Sequence, residues 1–292
     1  MAGKEQEKPD LLPTPLPAVE AEEKEAVPQV SDAQLKEMCV IYDYVLTGKI
    51  GDEELIMSVS INKKDSLSKI TYRNRHTRFS PHIYRGMSGK FVENRLNLFG
   101  KEVINRDSVE KTRIEAVIDL EKGTLSGKKI WKHGKEELIE MQHFYDTTVP
   151  LFTFKSDYTD KGFNTDSLTK IVIYDLSDNV VQEIAGLDAR PSSNTIHLSD
   201  INFDGYPDIA LDMQWLARGG IYRYWLYNKD SQQFEETDIM DGILSERSTD
   251  YLNQTITVSE MIDENVEETR VYKYINGKYE LIDSYTITFE EE

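Results

Sequence analysis

Apolar and polar residues alternate with a period of two along most of this chain, and that period predicts strands. Leu55-Ile56-Met57-Ser58-Val59-Ser60-Ile61 shows it clearly. Val40 to Leu46 runs into a turn at Gly48-Lys49-Ile50-Gly51, and further short runs follow at 69–72, 91–92, 95–99, 114–118, 124–127 and 137–141. Short strands at regular spacing, separated by turn residues, predict an antiparallel β meander curled into a barrel or a sandwich. Ahead of them, Ser31-Asp32-Ala33-Gln34 has the form of a capping box and predicts a short helix to about Met38. Residues 1–30 show no apolar period. Pro9, Pro13, Pro15, Pro17 and Pro28 stand among Glu and Lys, a composition that predicts a disordered or extended tail. Such a tail suits a lipid tether.

Val149-Pro150 marks an expected boundary between a β-rich N-terminal domain, 31–148, and a second domain, 149–292. Three segments of the second part read as hairpins: 171–184 turning at 177–179, 224–235 turning at 229–231, and 271–282 turning at Asn276-Gly277. Tyr174, Tyr227 and Tyr274 recur about every 50 residues, the period of propeller blades. The class expected is mainly β, with a β-propeller-like second domain. Three ordinary hairpins of one sandwich are the competing reading.

The sharpest chemical signal lies between two of these strands, at Asp200-Ile201-Asn202-Phe203-Asp204-Gly205-Tyr206-Pro207-Asp208. Oxygen-bearing side chains hold its first, third, fifth and ninth positions, and a glycine holds the sixth. Calcium takes about 6–8 oxygen ligands, and a short loop supplies them only when alternate side chains converge. Asp200, Asn202, Asp204, Asp208 and the Tyr206 carbonyl are the expected metal ligands, with Ile201 and Phe203 turned away into a core. Gly205 permits the reversal. The loop is not an EF-hand, because Leu211 stands where that motif needs a bidentate Glu. A plain hairpin turn is the alternative. It gives no reason for three carboxylates in this register, which repel by several kcal/mol at an effective dielectric of about 20.

Composition narrows the partners. A formal net charge of −19 over 292 residues opposes nucleic acid and anionic membranes and suits a basic protein partner. No apolar run is long enough for a transmembrane helix. The single cysteine, Cys39, forms no intramolecular disulfide and sits in the apolar run Met38-Cys39-Val40-Ile41, as an inert buried thiol does. A calcium loop of modest affinity works where calcium is abundant, outside the cytosol. The opening Met1-Ala2-Gly3-Lys4 reads as a chain from which an export signal has been taken away; a cytosolic protein is the competing reading.

The calcium loop, the aromatic hairpin after Gly219-Gly220 (Tyr222 to Tyr227) and the closing Tyr272-Lys273-Tyr274-Ile275-Asn276-Gly277-Lys278-Tyr279 resemble a family of bacterial extracytoplasmic proteins with a propeller-like calcium-binding domain. The resemblance covers about residues 150–285. That family includes a periplasmic lipoprotein that is the immunity partner of a secreted lysozyme-like effector. The resemblance implies inhibition of a cell-wall hydrolase. The loop itself is shared with integrin-type repeats, so it is specific for metal and unspecific for function.

Other constellations are weaker. The five histidines show no zinc-ligand spacing, and no nucleophile, P-loop or dinucleotide motif occurs. Arg73, Arg75, His76, Arg78, His82 and Arg85 cluster locally, and the expectation is a solvated strand edge. Trp215 and Arg218, just after the calcium-loop strand, are the residue types enriched at binding hot spots and are the expected partner contacts. Two function classes follow. The first is a non-enzymatic, calcium-stabilised extracytoplasmic binding protein, in its most concrete form an inhibitor of a lysozyme-like hydrolase. The second is a calcium-dependent glycan-acting hydrolase or a surface adhesion module. A concave pocket holding two carboxylates about 5–9.5 Å apart speaks for hydrolysis; a flat or protruding aromatic surface speaks for the inhibitor.

Overall fold

The structure is a computed structural model that describes residues 35–76, 85–105, 108–145, 147–159, 167–190, 195–216, 219–240 and 247–289. Every regular element among them is a strand. The fold is mainly β, as the period of two requires. The helix expected up to Met38 is not there: Lys36–Glu37 (β1) is a strand paired to Thr153–Thr159 (β10), and residues 31–34 lie outside the described residues. Capping chemistry gives one turn its start. It supplies no apolar face, and Met38 is instead drawn into the main core at 6% exposure.

Eight strands form a closed antiparallel barrel: Cys39–Ile50 (β2), Glu53–Asn62 (β3), Leu67–Asn74 (β4), Arg85–Val92 (β5), Arg95–Asn105 (β6), Ser108–Asp119 (β7), Thr124–Trp131 (β8) and Glu136–His143 (β9). Each pairs with the next, and β9 returns to pair with β2 from Leu46↔His143 to Ile50↔Ile139. The alternation sends Leu46, Leu55, Met57, Val59, Ile70, Leu98, Ile114 and Ile139 to the shared interior, all at 1% exposure or less. Gly48 lies where strands crowd: a Cβ there would stand 2.1 Å from the Glu140 carbonyl oxygen, so a larger residue would push β9 off the seam.

One end of the barrel interior is ionic. Lys129 reaches Glu102 at 2.5 Å, Tyr72 donates its hydroxyl to Glu102, and Arg85 binds Glu53 through both guanidinium nitrogens at 3.1 and 2.6 Å. The Lys129 ammonium also lies 4.1 Å from the Trp131 ring centroid. Burial and the neighbouring Glu102 hold the Tyr72 phenol well above its usual range.

The remaining strands form three antiparallel groups. One sheet is β1, β10, Ser167–Tyr174 (β11) and Val180–Ala189 (β12). A second group, Thr195–Ser199 (β13), Asp208–Leu216 (β14), Gly219–Asn228 (β15) and Gln233–Thr237 (β16), extends the barrel sheet. It joins through a parallel pairing of β13 with the first half of β2, Thr195↔Cys39 to Leu198↔Tyr42. A third sheet is Arg247–Asp250 (β17), Thr255–Asp263 (β18), Val266–Ile275 (β19) and Lys278–Thr288 (β20). The three expected hairpins are β11–β12, β15–β16 and β19–β20, one in each group. The expected boundary at 149 falls in the extended segment before β10, and strands from both sides of it share the barrel sheet.

The main core fills the barrel and runs on under β10–β14. A second core contains Val45 and Ile56 from the outer barrel wall, Ile201 and Phe203, Ala210, Tyr224, and Tyr251, Ile256 and Val258 from the third sheet.

Candidate metal centre

The segment 200–208 joins β13 to β14 as a chain of bends. Its apolar positions act as anchors: Ile201 and Phe203 are 3% and 5% exposed and enter the second core. Phe203 takes a left-handed backbone, φ 62°, a conformation unfavourable for a bulky residue. It is held there by rings of Tyr251, Tyr274 and Tyr279 with centroids 5.6, 6.0 and 6.2 Å away. Gly205 is also left-handed, φ 90°, and a Cβ on it would stand 2.7 Å from Tyr145 Cβ.

With the apolar side chains anchored, the polar ones turn onto the loop's own backbone. Asp204 N–H donates to both Asp200 Oδ1, 3.1 Å, and Asn202 Oδ1, 3.2 Å. Gly205 N–H donates to Asp200 Oδ2 at 3.0 Å, and Tyr206 N–H to Asp204 Oδ1 at 2.9 Å. Asn202 Nδ2 donates to Asp204 Oδ2 at 2.9 Å. Asp200, Asn202 and Asp204 are thereby brought together. Asp208 is fully buried, and its two oxygens accept from the N–H groups of Ile201 and Tyr227, both at 2.8 Å.

The loop is a junction. Tyr279 of β20 donates its hydroxyl to the Ile201 carbonyl at 2.7 Å. Thr147, on the segment leaving the barrel, donates to the Gly205 carbonyl at 3.1 Å. The buried Tyr145 hydroxyl faces Asp200, and burial together with the Asp200 charge raises its phenol far above the usual range. Tyr145, Thr147 and Tyr279 escape sequence reading because only the tertiary fold brings them here.

Electrostatics at the loop are one-sided. Burial, then the charge of Asp204, raises the Asp200 carboxyl from 3.8 to about 7. Burial raises Asp208 well above the carboxylate range, with Asp200 and Asp204 adding to it. Among the described residues no lysine or arginine forms an ion pair with any of the three. Each of Asp200 and Asp208 nonetheless accepts two backbone N–H bonds, which favour the ionised form. Acceptor-only carboxylates, mutually repelling and with Asp208 fully buried, are the donor set a hard cation neutralises. Among the described residues no three His, Cys, Asp or Glu side chains are gathered tightly enough to hold a metal as they stand. Two of the five expected ligands are an amide and a carbonyl, and Asp208 faces the backbone. The residues fit the ion in chemistry, and binding it requires the carboxylates to draw in.

Beside the loop a groove of about 400 Å³ runs between the barrel wall and the third sheet. Ser58, Lys69, Thr71, Asp43, Asp200 and Tyr279 face it. Asp43 accepts from the Ser60 hydroxyl. The expected basic cluster is divided: Arg75 and His76 are exposed, as a solvated edge requires, and Arg73 and Arg85 are not. Arg73 is buried in an ion pair with Asp250, Arg85 is paired to Glu53 inside the barrel, and His76 lies 3.1 Å from Glu54 at the surface. Arg78 and His82 are outside the described residues. Arg218 and the side chain of Trp215 are outside them as well. Cys39 is buried, as expected, and donates its thiol to Asn62 Oδ1 at 3.2 Å.

No family model matches the chain, and no curated protein matches it. A crystal structure of a protein from Lactobacillus plantarum aligns over 83% of this chain and 82% of that chain, with 13% identity and a TM-score of 0.24. At that score the likeness carries no argument.

Proposed function

We propose that this chain is a calcium-stabilised, non-enzymatic binding protein that acts outside the cytosol on a basic protein, a lysozyme-like cell-wall hydrolase in the most concrete case. One observation carries the metal part. Asp208 is a fully buried carboxylate whose charged neighbours are Asp200 and Asp204. Asp200, Asn202, Asp204, Asp208 and the Tyr206 carbonyl hold the ion. Calcium supplies the positive charge the loop lacks, while Ile201 and Phe203 keep the loop seated in the second core. The three four-stranded groups are read as propeller-like blades, two of which meet at this junction.

The partner's sign follows from the net charge of −19, because complementary fields steer association. Trp215 and Arg218, at and just past the end of β14, are assigned to the contact surface. The hydrolase as partner comes from the family resemblance over 150–285, and so does the extracytoplasmic setting, possible lipid tether included.

A second reading is favoured by the groove, which holds Asp43 and an Asp200 raised to about 7, the pairing of an acid with a carboxylate that glycan hydrolysis uses. It is weaker because the backbone bonds to Asp200 favour its ionised form, which opposes a role as the acid.

The test has two arms. Calcium that binds only the folded chain adds about 2.7 kcal/mol at a hundredfold excess over Kd, so chelator should lower the melting temperature and Asp204→Ala should remove that response. A basic lysozyme-type hydrolase clearing peptidoglycan should be slowed by the protein. Identical melts in calcium and chelator sink the metal reading. Unslowed hydrolases, with clearing by the protein alone that Asp43→Asn abolishes, hand the function to the hydrolase reading.

A further inference from the structure

Among the described residues β20 is the outer strand of the third sheet, and residues 280–289 are all exposed. Leu281, Ile282, Tyr285, Ile287 and Phe289 are 55%, 52%, 46%, 37% and 48% exposed. Edge strands of monomeric proteins are blunted by lysines, prolines, bulges or a covering element. The run Ser284-Tyr285-Thr286-Ile287-Thr288-Phe289 has no charge, no proline and no glycine. The one register shift between β19 and β20 lies before it, between Val271 and Tyr272. This run therefore presents an unguarded ladder of backbone N–H and C=O groups, with the composition that pairs readily with another strand.

Charge identifies the occupant. Asp283 precedes the run and Glu290-Glu291-Glu292 follow it in the sequence. Across the ladder Glu268 and Glu267 stand opposite Thr286 and Ile287, and Arg270, opposite Ser284, is paired to Glu260 and Glu268, which leaves Glu267 as the unneutralised charge of the two. A second copy of this chain fits badly. Two copies would bring like-charged edges together, and like charges brought close destabilise a pair. A net charge of −19 on each copy adds to the repulsion.

We propose that β20 is a docking edge that takes an extended, uncharged segment flanked by lysine or arginine, from a basic protein partner, as an added strand. Backbone bonds of the new ladder supply affinity, the apolar row of Tyr285, Ile287 and Phe289 supplies packing, and Asp283 and Glu267 set register. The inference rests on the proposed function for the partner being a basic protein; the open edge is independent of it.

The probe is a synthetic peptide with a Thr/Val core flanked by lysines, compared with the same core flanked by glutamates. Titration calorimetry should show binding of the lysine peptide, weakened by salt, and little binding of the glutamate peptide. Isotope-edited infrared spectra of the bound peptide should show strand pairing. Ile287→Lys and Tyr285→Lys place an ammonium on the edge at exposed positions, so each should leave the melting temperature near wild type and weaken the peptide roughly tenfold or more. Absent binding, or binding that both variants retain, overturns the proposal. Dimers seen by sedimentation that Ile287→Lys dissolves overturn it in favour of a second copy. Peptide binding with no hydrolase slowed would refute the proposed function alone, and a slowed hydrolase with no peptide binding would refute this inference alone.

Discussion

Arg73 and Asp250 form the strongest test of how the third sheet is held. Arg73 lies on the outer face of β4, and Asp250 ends β17. Arg73 Nη2 is 2.8 Å from Asp250 Oδ1, and the side chains are 2% and 1% exposed. Asp250 also accepts from Leu252 N–H at 3.1 Å and Asn253 Nδ2 at 2.7 Å. Removing one partner of a buried pair strands the other charge and costs about 3–5 kcal/mol. Arg73→Met should therefore lose that much. Asp250→Asn in the same chain removes the stranded charge and keeps an acceptor for Leu252, so the double variant should lose only about 1–2 kcal/mol. The double variant should thus recover roughly 2–3 kcal/mol relative to Arg73→Met alone, and the sign of the coupling is read from the full double-mutant cycle by urea unfolding. Additive losses, or a loss under about 1 kcal/mol for Arg73→Met, would mean that the pair does not fasten the sheet to the barrel.

Two further outcomes concern the loop. Gly205→Ala should cost about 2–4 kcal/mol, since it adds a left-handed alanine to a clash with Tyr145; a melting temperature within a degree or so of wild type would show the loop to be soft. The second outcome is a pH response whose sign depends on calcium. Asp200 rises from 3.8 to about 7 in the fold, so the metal-free fold binds protons more tightly than the unfolded chain. Its stability should grow as pH falls from about 7 towards 4, by at most roughly 4 kcal/mol from this group. Calcium, if bound, would keep the carboxylates ionised, and acid would then expel it and lower stability. Glu53 and Glu137 are held below their usual range by Arg85 and by Lys135 with Trp131, although burial opposes this; they act alike in both conditions, so the difference between the two melting curves isolates the loop. Parallel curves would refute the assignment.

The strands were legible because their inward positions are apolar every second residue, and the hairpin at Asn276-Gly277 because its turn chemistry is local. The meander was readable as a barrel or a sandwich, and it is a barrel; which strands close it was not readable. Closure depends on β2 dividing one edge between β13 at Cys39–Tyr42 and β9 at Leu46–Ile50, and nothing in a strand's own sequence names its partner. The arginines misled for the same reason. Arg73 and Arg85 lie close in sequence, but one points out of the barrel to Asp250 and the other into it to Glu53. The polar interior of the barrel end was hidden by the same gap: Glu102 and Lys129 read as surface charges until register sets them on the inward face beside Tyr72.

The loop was legible to a different depth. Its alternation placed Ile201 and Phe203 in a core, because oxygen-bearing positions that converge force their neighbours to diverge. What surrounds it was not legible, and that is where its consequence lies. Tyr279 comes from the third sheet, Thr147 from the barrel exit and Tyr227 from β15, and all three bond to the loop's backbone or to its buried carboxylate. A cation that draws Asp200, Asn202, Asp204 and Asp208 inward therefore pulls on three parts of the fold at once. Tyr279 lies at the start of β20, and its ring packs on Phe203. Calcium at the loop would thus stiffen the strand that carries the open edge and reduce the ordering cost of docking there. Peptide affinity at β20 should be higher in calcium than in chelator, and Asp204→Ala should erase the difference while leaving the edge itself intact. If affinity is the same in both, the loop and the edge are energetically separate, and the metal serves stability alone.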